Sequence, residues 1–235
     1  LRLVCLPHAG GTPAAYRGWP GRFSERVEVL AACYPGRQDR LAEPAVESMS
    51  EMVDALVDEL LPLTDRPYVL FGHSMGASVA FELALALEHA HGTVPGALLL
   101  SGRLPPRLLT GRPPYLGGDE AIVADVRRLG EASTAVLDDP ELRELVLPAI
   151  RADYRLLGTY RPTLDGITSA PVTAYVGADD PDIDADHVLG WAEHTTAEFD
   201  HRVLPGDHFY LSAREETLTS DIAGRIGRLG AGTRS

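Results

Sequence analysis

The sequence has two cysteines, no lysine, and no apolar run long enough to cross a membrane. Each scarcity excludes something. Cys5 and Cys33 are too few for a disulfide framework, and neither has a C-x-x-C partner. Both read as reduced core thiols in strand-like runs of a cytoplasmic protein. With no apolar window near roughly 18 residues, no transmembrane helix is expected. The opening LRLVCLPHAGG lacks a charged start followed by an apolar core and cleavage site, so no secretory signal is read there. The chain opens at Leu1 rather than methionine, which leaves room for residues upstream. Arginine carries all the basic charge and is outnumbered, giving a net charge of −13. Duplex nucleic acid and anionic membranes are therefore poor general partners.

What is present is an ordinary globular composition. The 235 residues, 45% hydrophobic and 23% charged, suit one large domain over 1–235. Runs 1–8, 27–34, 67–72, 97–102, 170–177 and 198–204 read as strands. Residues 48–61 carry Met49, Met52, Val53, Leu56, Val57, Leu60 and Leu61 at helical period, closed by Pro62. Residues 75–91, 184–194 and 211–229 read as further helices. This alternation predicts an α/β fold with a mostly parallel central sheet and helices on both faces. Segment 103–162 breaks the rhythm. It opens proline- and glycine-rich, contains no strand-like run, and continues in two helical patterns, 119–129 and 140–157. Such an insertion reads as a helical lid over a pocket, with a plain helical crossover as the alternative.

The stretch FGHSMGA (71–77) places Ser74 in a G-x-S-x-G frame between a strand-like run and a helical one. A serine hydroxyl is a weak nucleophile until a base reaches it and donors await the oxyanion. A sharp strand-to-helix turn exposes the oxygen, and glycines at 72 and 76 leave room for the crowded backbone. Ser74 is the expected nucleophile; a helix-capping turn serine is the bland alternative. In this arrangement the acid follows the serine and the histidine comes last. Of the eight histidines, only His208, in PGDH, sits in a glycine-bearing loop after the last strand. His208 is the expected base. His201 reads as a strand residue, and the rings of His89 and His91 point to different helix faces, as solvated residues do.

The acid belongs just after a late strand. AYVGADDPDID offers Asp179, Asp180, Asp182 and Asp184, with Asp180 favoured and Asp179 second. The run loosely imitates a calcium loop, but His187 stands where the sharp-turn glycine belongs. Acidic residues opening a helix explain it more simply. The oxyanion hole needs two donors. One is the N–H of Met75, and the other is expected from Ala9 in PHAGG, where glycines turn the backbone inward. His8 reads as positioning that loop.

Together PHAGG, CYPGRQDR (33–40), FGHSMGA, the GADDP turn and PGDHFYL (205–211) resemble a type II thioesterase, an α/β-hydrolase associated with polyketide and nonribosomal peptide synthases. The resemblance covers nearly the whole chain. It implies a Ser-His-Asp hydrolase that frees stalled acyl groups from the phosphopantetheine arm of acyl or peptidyl carrier proteins. It maps Ser74, His208 and Asp180 onto the triad, and Ala9 and Met75 onto the oxyanion hole. It implies no metal or other cofactor, since phosphopantetheine arrives with the substrate. A cytoplasmic monomer, binding neither nucleic acid nor membrane, is expected. One departure is Asp207, where many members carry glycine; a charge beside the base is expected to raise its pKa. Arg103, Arg107 and Arg112 are candidates to meet an acidic carrier protein, or serve solubility only. The rival readings are a general carboxylesterase or lipase, an acyltransferase, and a hydrolase fold kept for binding without catalysis.

Overall fold

Six strands build the centre of the computed structural model, which describes residues 1–109, 114–130 and 136–232. They are β1 (Arg2–Leu6), β2 (Glu28–Ala31), β3 (Tyr68–His73), β4 (Ala97–Ser101), β5 (Val172–Gly177) and β6 (Phe199–Leu204). Their spatial order is β2-β1-β3-β4-β5-β6, and every pairing is parallel. The sheet thus goes beyond the mostly parallel one expected. β1, β3, β4 and β5 are buried at every residue, which is why they read as continuous apolar runs.

Among the described residues seven α-helices accompany them: α1 (Met49–Leu60), α2 (Met75–His91), α3 (Asp119–Leu129), α4 (Pro140–Thr159), α5 (Ala185–Val188), α6 (Tyr210–Ala213) and α7 (Glu215–Gly232). Alternate strand residues face opposite sides of a sheet. Val4, Leu6, Leu70, Leu98 and Val172 accordingly pack in one core with α1 and α2. Leu3, Cys5, Val69, Phe71 and Leu99 pack in another with Tyr16, Trp19 and the Leu218, Ile222 and Ile226 stripe of α7. Helix ends follow local chemistry. The Ser48 hydroxyl accepts from the Glu51 N–H to open α1, and Asp139 accepts from Glu141 and Leu142 to open α4. Gly92, in the left-handed region at φ 64°, ends α2.

Three expectations need correction. The closing helix is two helices: Arg214 leaves helical geometry at φ −120°, its Nε donating back to the Pro205 carbonyl. Residues 184–194 are α-helical only through Val188 and then tighten into a 3-10 turn. The second strand stops at Ala31, which pairs with Cys5, and its last link to β1 is the Ala32 N–H donating to the Cys5 carbonyl. Cys33 therefore lies in the following loop, half-buried, and is not a core thiol, whereas Cys5 is fully buried.

In segment 103–162, α3 and α4 form a third apolar cluster, with Ile122, Val123, Val126, Leu147, Ile150 and Tyr154. Arg112 lies outside the described residues. None of the described helices is long and apolar enough to cross a membrane.

The connections from β1 lead first to β2 on one side, then to β3 on the other. Parallel sheets place their sites at the carboxyl ends of strands flanking such a switch point. The loops after β1, β3, β4, β5 and β6 converge there.

Candidate active site

β3 ends in a strained turn. Ser74 sits at φ 54° and ψ −115°, a conformation that side chains rarely adopt. Its N–H donates to the Ser101 carbonyl at the end of β4, 2.8 Å away. The two flanking glycines are steric necessities. A Cβ on Gly72 would strike the Gly76 carbonyl, and a Cβ on Gly76 would strike the Leu6 carbonyl at the end of β1. Turn, strand and helix therefore approach closer than any side chain permits, and Ser74 opens onto a cavity of about 540 Å³.

His208 lines the same cavity. Its loop lies flat on the end of β5, where a Cβ on Gly177 would strike the carbonyls of Gly206 and Asp207. The imidazole Nδ1 is 2.7 Å from Asp180 Oδ2, with both side chains almost fully buried. The other carboxylate oxygen accepts from the N–H groups of Asp182 (3.0 Å) and Ile183 (3.2 Å). Burial pushes the Asp180 carboxyl upward, but the His208 hydrogen bond and charge and these two amides outweigh it and hold it below its ordinary value. An ionised carboxylate only accepts, so Nδ1 carries the proton and donates to it. Nε2 is then left as the acceptor; it is buried and bonds to no described residue.

The remaining acidic candidates have other employment. Asp179 is exposed, Asp182 pairs with Arg128 at 2.7 Å, and Asp184 caps α5 together with His187. Among the described residues no cluster of three or more histidines, cysteines or carboxylates could hold a metal ion. The exposed Asp207 carboxylate accepts from the Phe209 N–H at 2.9 Å, while the imidazole meets Asp180 instead. His89 and His91 are exposed, His201 lies within β6, and His194 is bonded to the Gly166 carbonyl.

Behind His208 stands a second histidine. His73, fully buried, is 2.8 Å from the Ser101 hydroxyl through Nδ1, and that hydroxyl is 2.5 Å from the Tyr210 hydroxyl. Burial, then the neighbouring His208 and His8, push His73 well below the usual imidazole range. The rings of His73 and Phe209 flank His208 at 5.1 and 5.2 Å.

Ala9 lines the cavity beside Ser74, and Met75 is the first residue of α2, where helix N–H groups lack intrahelical partners. The loop carrying Ala9 is held by a charged strut. Gly10 N–H donates to Asp153 Oδ2 of α4 at 2.7 Å. Arg37 grips the same carboxylate with two bonds of 2.8 Å and donates to the Gly11 carbonyl at 3.1 Å. Both side chains are buried, at 5% and 0% exposure. The Arg37 guanidinium lies over the Tyr34 ring, whose hydroxyl donates to the Pro7 carbonyl. Sequence reasoning quotes Arg37 within a motif but gives neither it nor Asp153 a part. A signal was available: Asp153 is a lone carboxylate on the apolar face of α4, one turn from Ile150.

Comparison with known proteins gives the family. The family model for the thioesterase domain matches residues 1–226. A probable cadicidin biosynthesis thioesterase of Streptomyces griseus is 40% identical, aligned over 95% of this chain and 62% of that protein. This chain thus spans less than two thirds of that relative. Thioesterase PikA5 of Streptomyces venezuelae is also 40% identical, over 96% of this chain and 81% of its own. The solved structure of the type II thioesterase BorB, from the borrelidin biosynthetic cluster, superposes with a TM-score of 0.87 at 40% identity, covering 96% of this chain and 92% of that one. A chain that matches a family over nearly its whole length and folds as a solved member does belongs to that family: it is a serine-hydrolase thioesterase of the α/β-hydrolase fold.

Proposed function

We propose that this protein hydrolyses acyl thioesters carried on the phosphopantetheine arm of an acyl or peptidyl carrier protein, removing stalled or aberrant acyl groups during polyketide or nonribosomal peptide synthesis. The observation that carries the reading is the buried His208–Asp180 pair: His208 lines the same cavity as Ser74, and its Nε2 bonds to no described residue. The biosynthetic clusters named for its relatives supply the pathway class.

Ser74 is the nucleophile in this reading. His208 Nε2 takes its proton as the oxygen attacks the thioester carbonyl, and the Ala9 and Met75 amides receive the oxyanion. Asp180 holds the tautomer and stabilises the imidazolium. The imidazolium protonates the departing pantetheine thiol. Water, deprotonated by the same base, then attacks the acyl-enzyme and frees the acid. No step calls for a metal or redox cofactor. Residues 1–235 act as one domain, with 103–162 as the lid over the acyl chamber. The protein works as a cytoplasmic monomer whose partner is the carrier, not nucleic acid or membrane.

The test is acyl release from a loaded carrier protein by wild type and Ser74→Ala. Release by wild type and its loss in the variant support the reading. Equal rates would remove Ser74 from the mechanism. Fluorophosphonate labelling of Ser74 without thioester hydrolysis would point to an esterase or acyltransferase. Absence of both labelling and turnover would favour a binding module.

A further inference from the structure

Two cavities meet at the end of α4. The one that Ser74 opens onto has Leu104, Leu109 and Leu157 in its walls, which suits an acyl tail. The second, of about 600 Å³, lies between α1 and α2, with Met49, Val53, Leu85 and Ala86 in its walls. Among the described residues Tyr160 and Arg161 line both. Arg161 is exposed and donates to the carbonyls of its own neighbours, Gly158, Thr159 and Tyr160. Tyr160 is buried, at 8% exposure, and belongs to the core around α2. Of the two shared residues, the tyrosine is the one placed to keep the spaces apart.

Its hydroxyl shows where it stands. It donates to Glu82 Oε1 at 2.6 Å, and Glu82 lines the second cavity. On the other side it feels the charge of Arg103, which lines the first. Burial, then the charge of Glu82, push the phenol up, so it keeps the proton that it donates. The same carboxylate accepts from the Thr163 N–H at 3.0 Å and the Thr163 hydroxyl at 2.8 Å. These bonds pin the chain that carries the ring to α2, and the wall is held in place.

Distance along α2 gives the depth. Ser74, Ser78 and Glu82 recur every four residues and so share one face of the helix. Ser78 accepts from Arg103 Nε at 2.7 Å, and Glu82 accepts from Tyr160. Eight residues of helix put Glu82 about 12 Å along the axis beyond Ser74. We propose that Tyr160 is a specificity-determining residue whose side chain closes the far end of the acyl chamber, so that the enzyme favours acyl chains that end short of it and keeps longer ones out of the second cavity. The inference rests on the thioesterase reading above and sets the chain-length limit of that same site.

The experiment compares kcat/KM for butyryl and dodecanoyl thioesters with wild type, Tyr160→Ala, Tyr160→Leu and Tyr160→Phe. The dodecanoyl-to-butyryl ratio should rise by about tenfold or more in Tyr160→Ala, the scale on which apolar pockets sort chains by length. It should rise less in Tyr160→Leu. Tyr160→Phe keeps the ring and loses only the bond to Glu82, so it should keep the wild-type ratio. Leucine leaves an apolar side chain in the core, and that variant carries the test where the alanine variant does not fold. An unchanged ratio in the folded variants, an equal loss at both lengths, or a wild type that takes dodecanoyl as readily as butyryl would overturn the proposal. A second readout needs no turnover. Alkyl fluorophosphonates should label wild-type Ser74 more slowly once the alkyl chain outgrows the chamber, and should label Tyr160→Leu with a weaker fall. The same length dependence in both proteins would also overturn it. If wild type hydrolyses no thioester yet shows this difference in labelling, the thioesterase reading fails and the chamber wall stands.

Discussion

Among the ion pairs of the described residues, two carboxylates have no side-chain exposure, Asp180 and Asp153, and they face opposite kinds of partner. Asp180 meets an imidazole, which can lose and regain its charge as a reaction proceeds. Asp153 meets Arg37, whose charge is permanent under any working condition. Around Asp180 one oxygen is spent on backbone amides and the other on the base. Around Asp153 the bonds hold something still: a guanidinium and the Gly10 amide. Equal burial therefore serves two ends. In the proposed mechanism one pair moves protons, and the other fixes the loop that must not move while they do.

The comparison breaks most visibly at Asp180. Asp180→Asn should lower kcat by about 10³–10⁴-fold by releasing the tautomer of His208, while the melting temperature changes far less than it does for Asp153→Ala. Steady-state kinetics and calorimetry on the same samples check this. Asp153→Ala strands a buried guanidinium, and loss of one partner of a buried pair costs about 3–5 kcal/mol. At this chain length that is a fall of roughly 6–20 °C in Tm. The double variant Arg37→Met/Asp153→Leu should recover most of that loss but not the activity, because the Gly10 amide remains unheld. Recovery of both would show the strut to be packing alone.

Acid sharpens the contrast. The folded Asp180 carboxyl lies below its ordinary value, so its contribution to stability is present above the usual carboxylate range and disappears as pH falls through the lowered folded value. Calorimetry from pH 5 downward should show a slope for wild type that Asp180→Asn flattens. The smallest effect concerns His73, whose folded value is depressed. Its contribution is full above the ordinary imidazole value near 6.5 and shrinks as pH falls below it toward the folded value. His73→Gln should weaken the stability slope between pH 7 and 5.

Much of this arrangement is legible in the chain because each part is local. FGHSMGA announces the strained turn through two glycines that sterics demand, and α2 keeps the bounds its composition predicts, Met75–His91. Asp180 stood out because it follows a buried strand at turn spacing. What escaped was non-local. Arg37 and Asp153 are 116 residues apart, and no periodicity links them. The helix break at Arg214 escaped for a similar reason, since it depends on a carbonyl nine residues back. The exposed carboxylate of Asp207 adds a caution: adjacency along the chain placed it beside the base, while its side chain turns to cap Phe209.

The clasp on Gly10 carries a consequence for chimeras. Ile150 and Asp153, one turn apart on α4, both close on that glycine, and Arg37 closes the ring from a separate loop. Exchanging residues 103–162 between homologous enzymes to transplant a preference would swap two of the ring's members and leave the others behind. A donor segment lacking the aspartate would arrive with its own helices intact and leave the loop at 9–11 unmoored. The transplantable unit is therefore the segment together with positions 10 and 37.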